Sequence, residues 1–338
     1  IDFFKIQEIF NILKKEYNLI IIDTSSECFL DYTPGVITSP ITVGSVVKGA
    51  SHIVGYNTGA LSIGEQRYDT CVKLAGAPQK CSWKPLGLLD DITALKQSSN
   101  TYQFYTAMKV GGLLYTYNTP FKVENNAFDI YRNTFAEFGL GVKTGIDLPN
   151  EIAGYKGTKN EGGLLLDFAI GQYDNYTPIQ LSQYIGTIAN SGTRLQPYLL
   201  KEVYSSEGEK LTNVLYKAQP IVLNQVNTNP EYLNRVKLGF QAVLSYGGTG
   251  SGYIDKKYNP AGKTGTSQSF LDTNGDGKID KETVTNTFVG YAPYDNPKVT
   301  FTVVSPDIYH YDNNSTYQTS VNKRIATRVS EKYFELYP

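Results

Sequence analysis

Three short motifs occur in a fixed order along this 338-residue chain, and together they constrain it more than any other feature. The first is Ser45-x-x-Lys48, the second is Ser98-Ser99-Asn100, and the third is Lys263-Thr264-Gly265. If a helix starts near Ser45, Lys48 lies one turn further on the same face, where its amine can take the proton of the serine hydroxyl. The order and spacing therefore predict a serine nucleophile assisted by lysine.

Charge and length limit the classes of partner. The chain carries 31 basic and 32 acidic residues, for a formal net charge of −1, so nothing indicates capture of nucleic acid or of an anionic membrane surface. The length exceeds that of a usual single domain, but one large α/β core with a helical lobe accommodates it. No apolar run approaches a membrane span, and the chain, which begins at Ile1 without a signal peptide or an initiator methionine, is expected to be an excised portion.

Histidine and cysteine usage narrows the chemistry. His52 and His310 are the only histidines, which argues against a zinc site with several histidines and against a Ser-His-Asp triad. Lysine is therefore the expected base, and we expect no cofactor. Besides Cys28, the chain has Cys71 and Cys81, which either bridge a hairpin in an oxidising compartment or remain free thiols.

The spacing of apolar residues predicts which helices and strands carry the motifs. It predicts a helix over residues 2–16, a strand ending at Asp23, and a helical stretch over 90–111 that is interrupted by a turn at the second motif. An α-rich lobe follows over 120–200, with a helix at 179–190; the strands are expected at 219–223, 262–269, 284–292 and 299–306, before a closing helix at 320–337. Lys263 on an edge strand would then face a groove between sheet and lobe.

The residue types suggest a role for each motif. Ser45 would attack an amide or lactam carbonyl with Lys48 as base, and Ser98 would relay a proton to the leaving nitrogen. The Asn100 amide would hold Lys48 and a substrate carbonyl. Backbone N–H groups of Ser45 and Thr266 would form an oxyanion hole. Lys263, Thr264 and Thr266 would bind a substrate carboxylate, and Gly265 belongs to the same substrate-binding segment. Alternatively, Ser98 is a helix cap and Asn100 a turn residue.

Three other patterns receive weaker interpretations. A second Lys-Thr-Gly, at Lys143-Thr144-Gly145, lies in a glycine-rich loop and is interpreted as a turn. Asp272, Asn274 and Asp276 match the start of a calcium loop, but Thr283 occupies position twelve, and a polar hairpin tip explains the same residues. Asp23 ends an apolar strand, as magnesium ligands do in nucleotide-binding proteins, yet no phosphate-binding loop occurs in the chain.

Residues 34–338 resemble the transpeptidase domain of class B penicillin-binding proteins. Besides the three motifs, the resemblance rests on Phe138-Gly139-Leu140-Gly141 through Gly145-Ile146-Asp147-Leu148-Pro149, Gly171-Gln172, Tyr176-Thr177-Pro178-Ile179-Gln180-Leu181, Ala189-Asn190-Ser191-Gly192 and Phe288-Val289-Gly290-Tyr291-Ala292-Pro293. It implies an α/β (α+β) fold of the β-lactamase/transpeptidase type, in which helices flank an antiparallel sheet and a groove separates the sheet from a helical lobe. Residues 1–33 do not match the family's usual strand and form a helix-strand segment of uncertain origin.

The resemblance also implies a reaction and a location. Ser45 would be acylated by the D-Ala-D-Ala end of a peptidoglycan stem peptide and the acyl group transferred to an amine of a neighbouring strand, and β-lactams would trap the same serine. The parent protein would be anchored in the bacterial plasma membrane, with this domain on the extracellular face, in a complex that serves cell shape or cell division. A serine β-lactamase, or a β-lactam sensor or peptidoglycan-binding module without turnover, remains the alternative.

Overall fold

The structure consists of one main sheet, several small sheets and helices on both faces of the main sheet. A computed structural model describes residues 21–24, 27–30, 35–207, 210–308 and 316–338. In chain order, the strands are β1 (Ile21–Thr24), β2 (Glu27–Leu30), β3 (Arg67–Tyr68), β4 (Leu88–Leu89), β5 (Thr193–Leu195), β6 (Glu202–Glu207), β7 (Lys210–Lys217), β8 (Val222–Gln225), β9 (Ala261–Leu271), β10 (Lys281–Ala292) and β11 (Val299–Ile308).

Helices and loops make up the rest of the described chain. They are α1 (Gly35–Thr38), α2 (Lys48–Asn57), α3 (Asp91–Lys96), α4 (Asn100–Val110), α5 (Ala127–Glu137), α6 (Gly162–Ala169), α7 (Pro178–Ala189), α8 (Pro230–Leu244) and α9 (Thr316–Leu336), with 3-10 turns at Gly44–Val47 and Lys256–Tyr258. The helices predicted at 179–190 and 320–337 correspond to α7 and α9. The stretch predicted at 90–111 is α3 and α4, which are separated by residues 97–99. The helix predicted at 2–16 and His310 lie outside the described residues.

The main sheet has the order β2-β1-β11-β10-β9, and each neighbouring pair is antiparallel. The third motif therefore lies on β9, an edge strand, as predicted. Side chains alternate between two cores: Phe288 packs with the α9 residues Ile325 and Val329, whereas the next residue, Val289, packs with the helical lobe. The sheet thus separates two hydrophobic clusters, and the predicted fold class is confirmed.

The helix α2 runs through the centre of the larger cluster. Every residue from Lys48 to Tyr56 is buried, so this helix is enclosed on all sides rather than amphipathic. Helix α7 lies between it and the sheet, where Ser182 Oγ donates to Thr302 Oγ1 at 3.0 Å and Tyr184 Oη donates to Val46 O at 2.9 Å. Tight packing on every side fixes the position of the first motif relative to the sheet.

The strand predicted at 219–223 is displaced: the structure has β8 at Val222–Gln225, paired with β5 and apart from the main sheet. Pro220 lacks an N–H for ladder pairing, which explains why the strand starts after it. The hairpin of β6 and β7 has no counterpart among the predicted strands. Among the described residues, no helix is both long and apolar enough to cross a membrane.

The division of the chain at residue 33 stays a prediction. Within the first segment, β1 pairs with β11, with Ile21 opposite Thr302, and β2 extends the sheet on the other side of β1. Residues 21–24 and 27–30 therefore form strands of the same sheet as the third motif.

Candidate active site

Ser45 lies in a 3-10 turn, Gly44–Val47, that leads directly into α2. The helix predicted to start near Ser45 thus begins with this turn, and its α-helical part starts at Lys48. Ser45 is partly exposed, whereas Gly44 is buried. The N–H of Gly44 donates to Gly171 O at 2.8 Å, and Gly44 has a φ of +63°. A Cβ there would lie 2.6 Å from Thr266 O, so the close approach of β9 to this turn requires glycine.

The third motif packs against the turn through its glycine. A Cβ on Gly265 would lie 2.2 Å from Thr287 Oγ1 and 2.7 Å from Val43 O. Thr287 Oγ1 donates to that same carbonyl at 2.7 Å, and Ser267 Oγ donates to Thr42 O at 2.5 Å. The strand is thereby held against the segment that precedes Ser45, and the exposed Thr266 lies beside the turn.

Lys48 is fully buried at the base of the site. Its Nζ lies 2.7 Å from Asn100 Oδ1, 2.8 Å from Ser98 O and 3.3 Å from Ser98 Oγ. These acceptors match the three N–H donors of a protonated amine. Burial, reinforced by the positive charge of Lys263, nevertheless lowers the pKa of Lys48 well below its ordinary value. Burial therefore makes the neutral amine that a base requires easier to form than in an exposed lysine.

Ser98 lies between the two lysines in an unusual backbone conformation. Its φ is +55°, in the left-handed region that residues other than glycine rarely adopt. Its Oγ accepts from Lys263 Nζ at 2.8 Å in addition to its contact with Lys48. A hydroxyl that is bonded to two amines is suited to pass a proton between them and a bound group.

The second motif initiates α4. Ser99, not Ser98, caps this helix: Ser99 Oγ accepts from Tyr102 N at 3.0 Å. The alternative that Ser98 is the cap is therefore wrong. Asn100 is the first residue of α4, and its side-chain amide donates to Cys81 O at 3.3 Å while its oxygen accepts from Lys48.

Lys263 is buried within β9 and faces the second motif. Besides Ser98 Oγ, its Nζ donates to Thr264 O at 2.9 Å. Burial lowers the pKa of Lys263 to about 7, so its charge is easily changed near neutral pH. Thr264 is partly buried, and its Oγ1 donates to Thr249 Oγ1 at 3.1 Å.

The structure brings Lys48, Ser98, Asn100 and Lys263 into one hydrogen-bonded cluster, beside the turn that holds Ser45. Such a cluster can accept a proton from a serine and present a positive charge to a carboxylate. The chemical roles of these residues stay predictions.

Two residues that sequence reasoning missed support this cluster. Ser82 Oγ accepts from the N–H of Asn100 at 2.9 Å and donates to Asp69 Oδ2 at 2.7 Å. Asp69 also accepts from Ser99 Oγ at 2.6 Å. Neither residue lies in a motif, and their only signal is proximity in sequence to Cys71 and Cys81, which form a disulfide in the structure.

Two of the three weaker patterns lie outside this hydrogen-bonded cluster. Lys143 is exposed, and the turn that contains it is closed by Glu151, whose Oε1 accepts from Thr144 N at 2.6 Å and whose Oε2 accepts from Gly145 N at 3.1 Å.

Asp272, Asn274 and Asp276 lie at the tip of the hairpin between β9 and β10. Asp272 already accepts from the N–H groups of Gly275 and Gly277, both at 2.7 Å. Within the described residues, no group of three or more His, Cys, Asp or Glu side chains is arranged to hold a metal ion. The calcium interpretation stays a prediction, and turn chemistry accounts for the contacts that are present.

Comparison with known proteins identifies the family. A family model described as "Penicillin binding protein transpeptidase domain" matches residues 13–331. Penicillin-binding protein 2A of Bacillus subtilis (strain 168) is 44% identical over 310 residues, which are 91% of this chain and 43% of that protein. Peptidoglycan D,D-transpeptidase MrdA of Haemophilus influenzae is 29% identical over 247 residues, 66% of this chain and 34% of that protein.

A solved structure has the same fold. Penicillin-binding protein 2B from Streptococcus pneumoniae (strain R6) superposes with a TM-score of 0.81 and 29% sequence identity, over 95% of this chain and 54% of that one. The chain spans less than half the length of the curated relatives it matches.

Proposed function

Because this chain belongs to the penicillin-binding protein transpeptidase family, we propose that it is a peptidoglycan D,D-transpeptidase that acts through an acyl-enzyme on Ser45. The observation that carries the proposal is the convergence of Lys48 and Lys263 on Ser98 Oγ, beside a partly exposed serine. Its substrate is a stem peptide that ends in D-Ala-D-Ala, and β-lactams acylate the same serine. The domain works on the extracellular face of the bacterial plasma membrane, within a membrane-anchored protein of a cell-wall synthesis complex.

The contacts around Lys48 support the proposed acylation step. Ser45 Oγ bonds to the carbonyl carbon of the penultimate D-Ala, and neutral Lys48 takes the serine proton. The C–N bond then breaks, and the proton reaches the leaving nitrogen through Ser98 Oγ, which lies within hydrogen-bond distance of the Lys48 amine. D-Ala leaves as the free amine.

The edge strand β9 and the turn that holds Ser45 together recognise the carbonyl and the carboxylate of the substrate. The N–H groups of Ser45 and Thr266 stabilise the developing oxyanion, and the charge of Lys263 with the Thr264 and Thr266 hydroxyls holds the terminal carboxylate. Asn100 keeps Lys48 oriented through its 2.7 Å contact. In the second half-reaction, the acceptor amine attacks the acyl carbon and gives its proton to Lys48. The ester C–O bond then breaks, and Lys48 returns the proton to Ser45 Oγ.

Intact-mass spectrometry with benzylpenicillin tests the nucleophile. Wild type is expected to gain the mass of one drug molecule and to keep it, Ser45→Ala is expected to gain none, and Ser245→Ala, at an exposed serine, serves as the control. Loss of the adduct with release of hydrolysed drug would favour a β-lactamase instead. No adduct on folded wild-type protein would overturn the acyl-enzyme.

Transfer needs its own measurement. A peptide ending in D-Ala-D-Ala is incubated with the protein and an acceptor amine, and the new amide and free D-Ala are quantified. Formation of both supports a transpeptidase. A persistent penicillin adduct with no amide product would identify a sensor or a peptidoglycan-binding module without turnover.

A further inference from the structure

The segment of residues 69–82, here called the disulfide arm, contacts the second motif but contains none of the three motifs. We propose that the disulfide arm is a positioning element of the reaction, which fixes the Asn100 amide that receives the Lys48 amine and supplies the carboxylate of Asp69 to the site. The proposal rests on the proposed function, because it concerns the rate at which Ser45 is acylated.

The arm contacts Asn100 through both its backbone and its side chain. Cys81 O accepts from the Asn100 side-chain amide at 3.3 Å, and Ser82 Oγ accepts from the Asn100 N–H at 2.9 Å. The first bond leaves Asn100 Oδ1 directed at Lys48 Nζ, 2.7 Å away. Two consecutive residues of the arm thus determine where the amide oxygen lies.

Asp69 joins the arm to the second motif. One oxygen, Oδ2, accepts from Ser82 Oγ at 2.7 Å and from Ser99 Oγ at 2.6 Å. Ser99 is itself the cap of α4, so one carboxylate oxygen holds both the arm and the start of the helix that carries Asn100. Bonds of hydroxyl groups to a charged acceptor are stronger than neutral ones.

The disulfide between Cys71 and Cys81 closes the arm on itself. Inside the closed loop, Val72 N donates to Lys80 O at 2.8 Å and Lys80 N donates to Val72 O at 2.9 Å. Lys80 Nζ is also paired with Asp167 of α6 at 2.6 Å. A closed loop that is anchored at a second point presents Cys81 O at a defined place, and opening it releases that constraint.

The disulfide arm also influences the pKa of Lys48 through the carboxylate of Asp69. The pKa of Lys48 is lowered by burial and by Lys263, and Asp69 acts in the opposite direction. His52 lies on the same helix and contacts Lys48 O at 3.0 Å, but burial lowers its pKa to about 4, so it is neutral at physiological pH. Removing the charge of Asp69 therefore lowers the pKa of Lys48 further.

The test measures the rate constant of Ser45 acylation by a fluorescent penicillin across pH. Asp69→Asn keeps an oxygen acceptor without the charge, and Asp69→Ala removes both. Cys71→Ser/Cys81→Ser opens the loop, and Asp129→Asn, at an exposed carboxylate of α5, is the matched control. Misfolded molecules reduce the amplitude of adduct formation, not its rate constant, so positioning is separated from loss of folding.

The acid limb of the pH profile is the range in which the rate constant rises with pH. In Asp69→Asn we expect this limb to move to lower pH, because the neutral Lys48 amine then forms at lower pH. The maximum rate constant should be retained. In Asp69→Ala the acid limb should also move to lower pH, and the maximum rate constant should fall about tenfold. In the double cysteine variant the maximum rate constant should fall about tenfold while the acid limb stays in place. The proposal would be overturned if the acid limb of Asp69→Asn stayed in place. It would also be overturned if Asp69→Ala and the double cysteine variant kept the maximum rate constant of the wild type. Absence of acylation in wild type would instead contradict the proposed function.

Discussion

Lys48 and Lys263 share one hydroxyl: their amines lie 3.3 Å and 2.8 Å from Ser98 Oγ. Two buried amines around one oxygen cannot both remain protonated without a large cost, because each charge is desolvated and each repels the other. The arrangement therefore favours a state in which one of the two amines is neutral while the other carries the positive charge.

This relationship predicts a bell-shaped pH profile for acylation of Ser45. The rate constant rises as Lys48 loses its proton, over a pH range that burial moves below that of an exposed lysine, and it falls as the pH passes about 7, where Lys263 loses the charge that we propose binds a carboxylate. The two limbs are properties of the coupled pair rather than of either residue alone. Stopped-flow measurements with a penicillin at several pH values check the shape, and a profile that is flat across neutral pH would contradict it.

Lys263→Met is expected to abolish acylation and at the same time stabilise the fold. In the folded protein the pKa of Lys263 is about 7, below its ordinary value of 10.5. Between these pH values the unfolded chain therefore binds more protons than the folded chain, so the free energy of unfolding rises with pH. Methionine avoids the burial cost and should add about 2 kcal/mol at neutral pH, with a shallower pH slope.

Urea unfolding at several pH values measures this effect. Lys143→Met changes the lysine of the second Lys-Thr-Gly, which is exposed, and should leave both stability and acylation unchanged. A Lys263→Met protein that is less stable than wild type would show that the bonds of Lys263 outweigh its burial cost.

Gly265→Ala should destabilise the protein and reduce acylation. Its Cβ would lie 2.2 Å from Thr287 Oγ1 and 2.7 Å from Val43 O, so β9 must move away from the turn of Ser45. Overpacking of this kind costs about 3 kcal/mol. Gly163→Ala is the control, because its nearest neighbours would be 4.0 Å away. Thermal unfolding and penicillin adduct formation compare the two, and equal melting temperatures would refute the packing argument.

Replacements of Ser98 should separate backbone strain from chemistry. Both Ser98→Ala and Ser98→Gly remove the hydroxyl between the lysines, and each should lower the acylation rate constant about a hundredfold. Since φ is +55°, glycine relieves strain that alanine keeps, so Ser98→Gly should be more stable than Ser98→Ala by about 1 kcal/mol. Chemical denaturation ranks the pair, and the opposite order would mean that the conformation is not strained.

The sequence by itself determined part of the elements and the identity of the candidate residues. The order of the three motifs, the helical period of 179–190 and the β-rich segment 284–292 are local patterns, and the structure has the corresponding helix and strand. The strand predicted at 219–223 differs from β8 because Pro220 has no N–H for ladder pairing, a restriction that β-rich composition does not reveal.

Only the tertiary structure decided which groups meet. Lys263 and Ser98 are 165 residues apart, and their contact depends on how β9 packs against the turn of Ser45, which requires the close approaches at Gly44 and Gly265. The roles of Asp69 and Ser82 in holding Asn100 likewise follow from a loop that the disulfide closes. Such contacts arise from packing between distant segments, and no period or spacing along the chain encodes them.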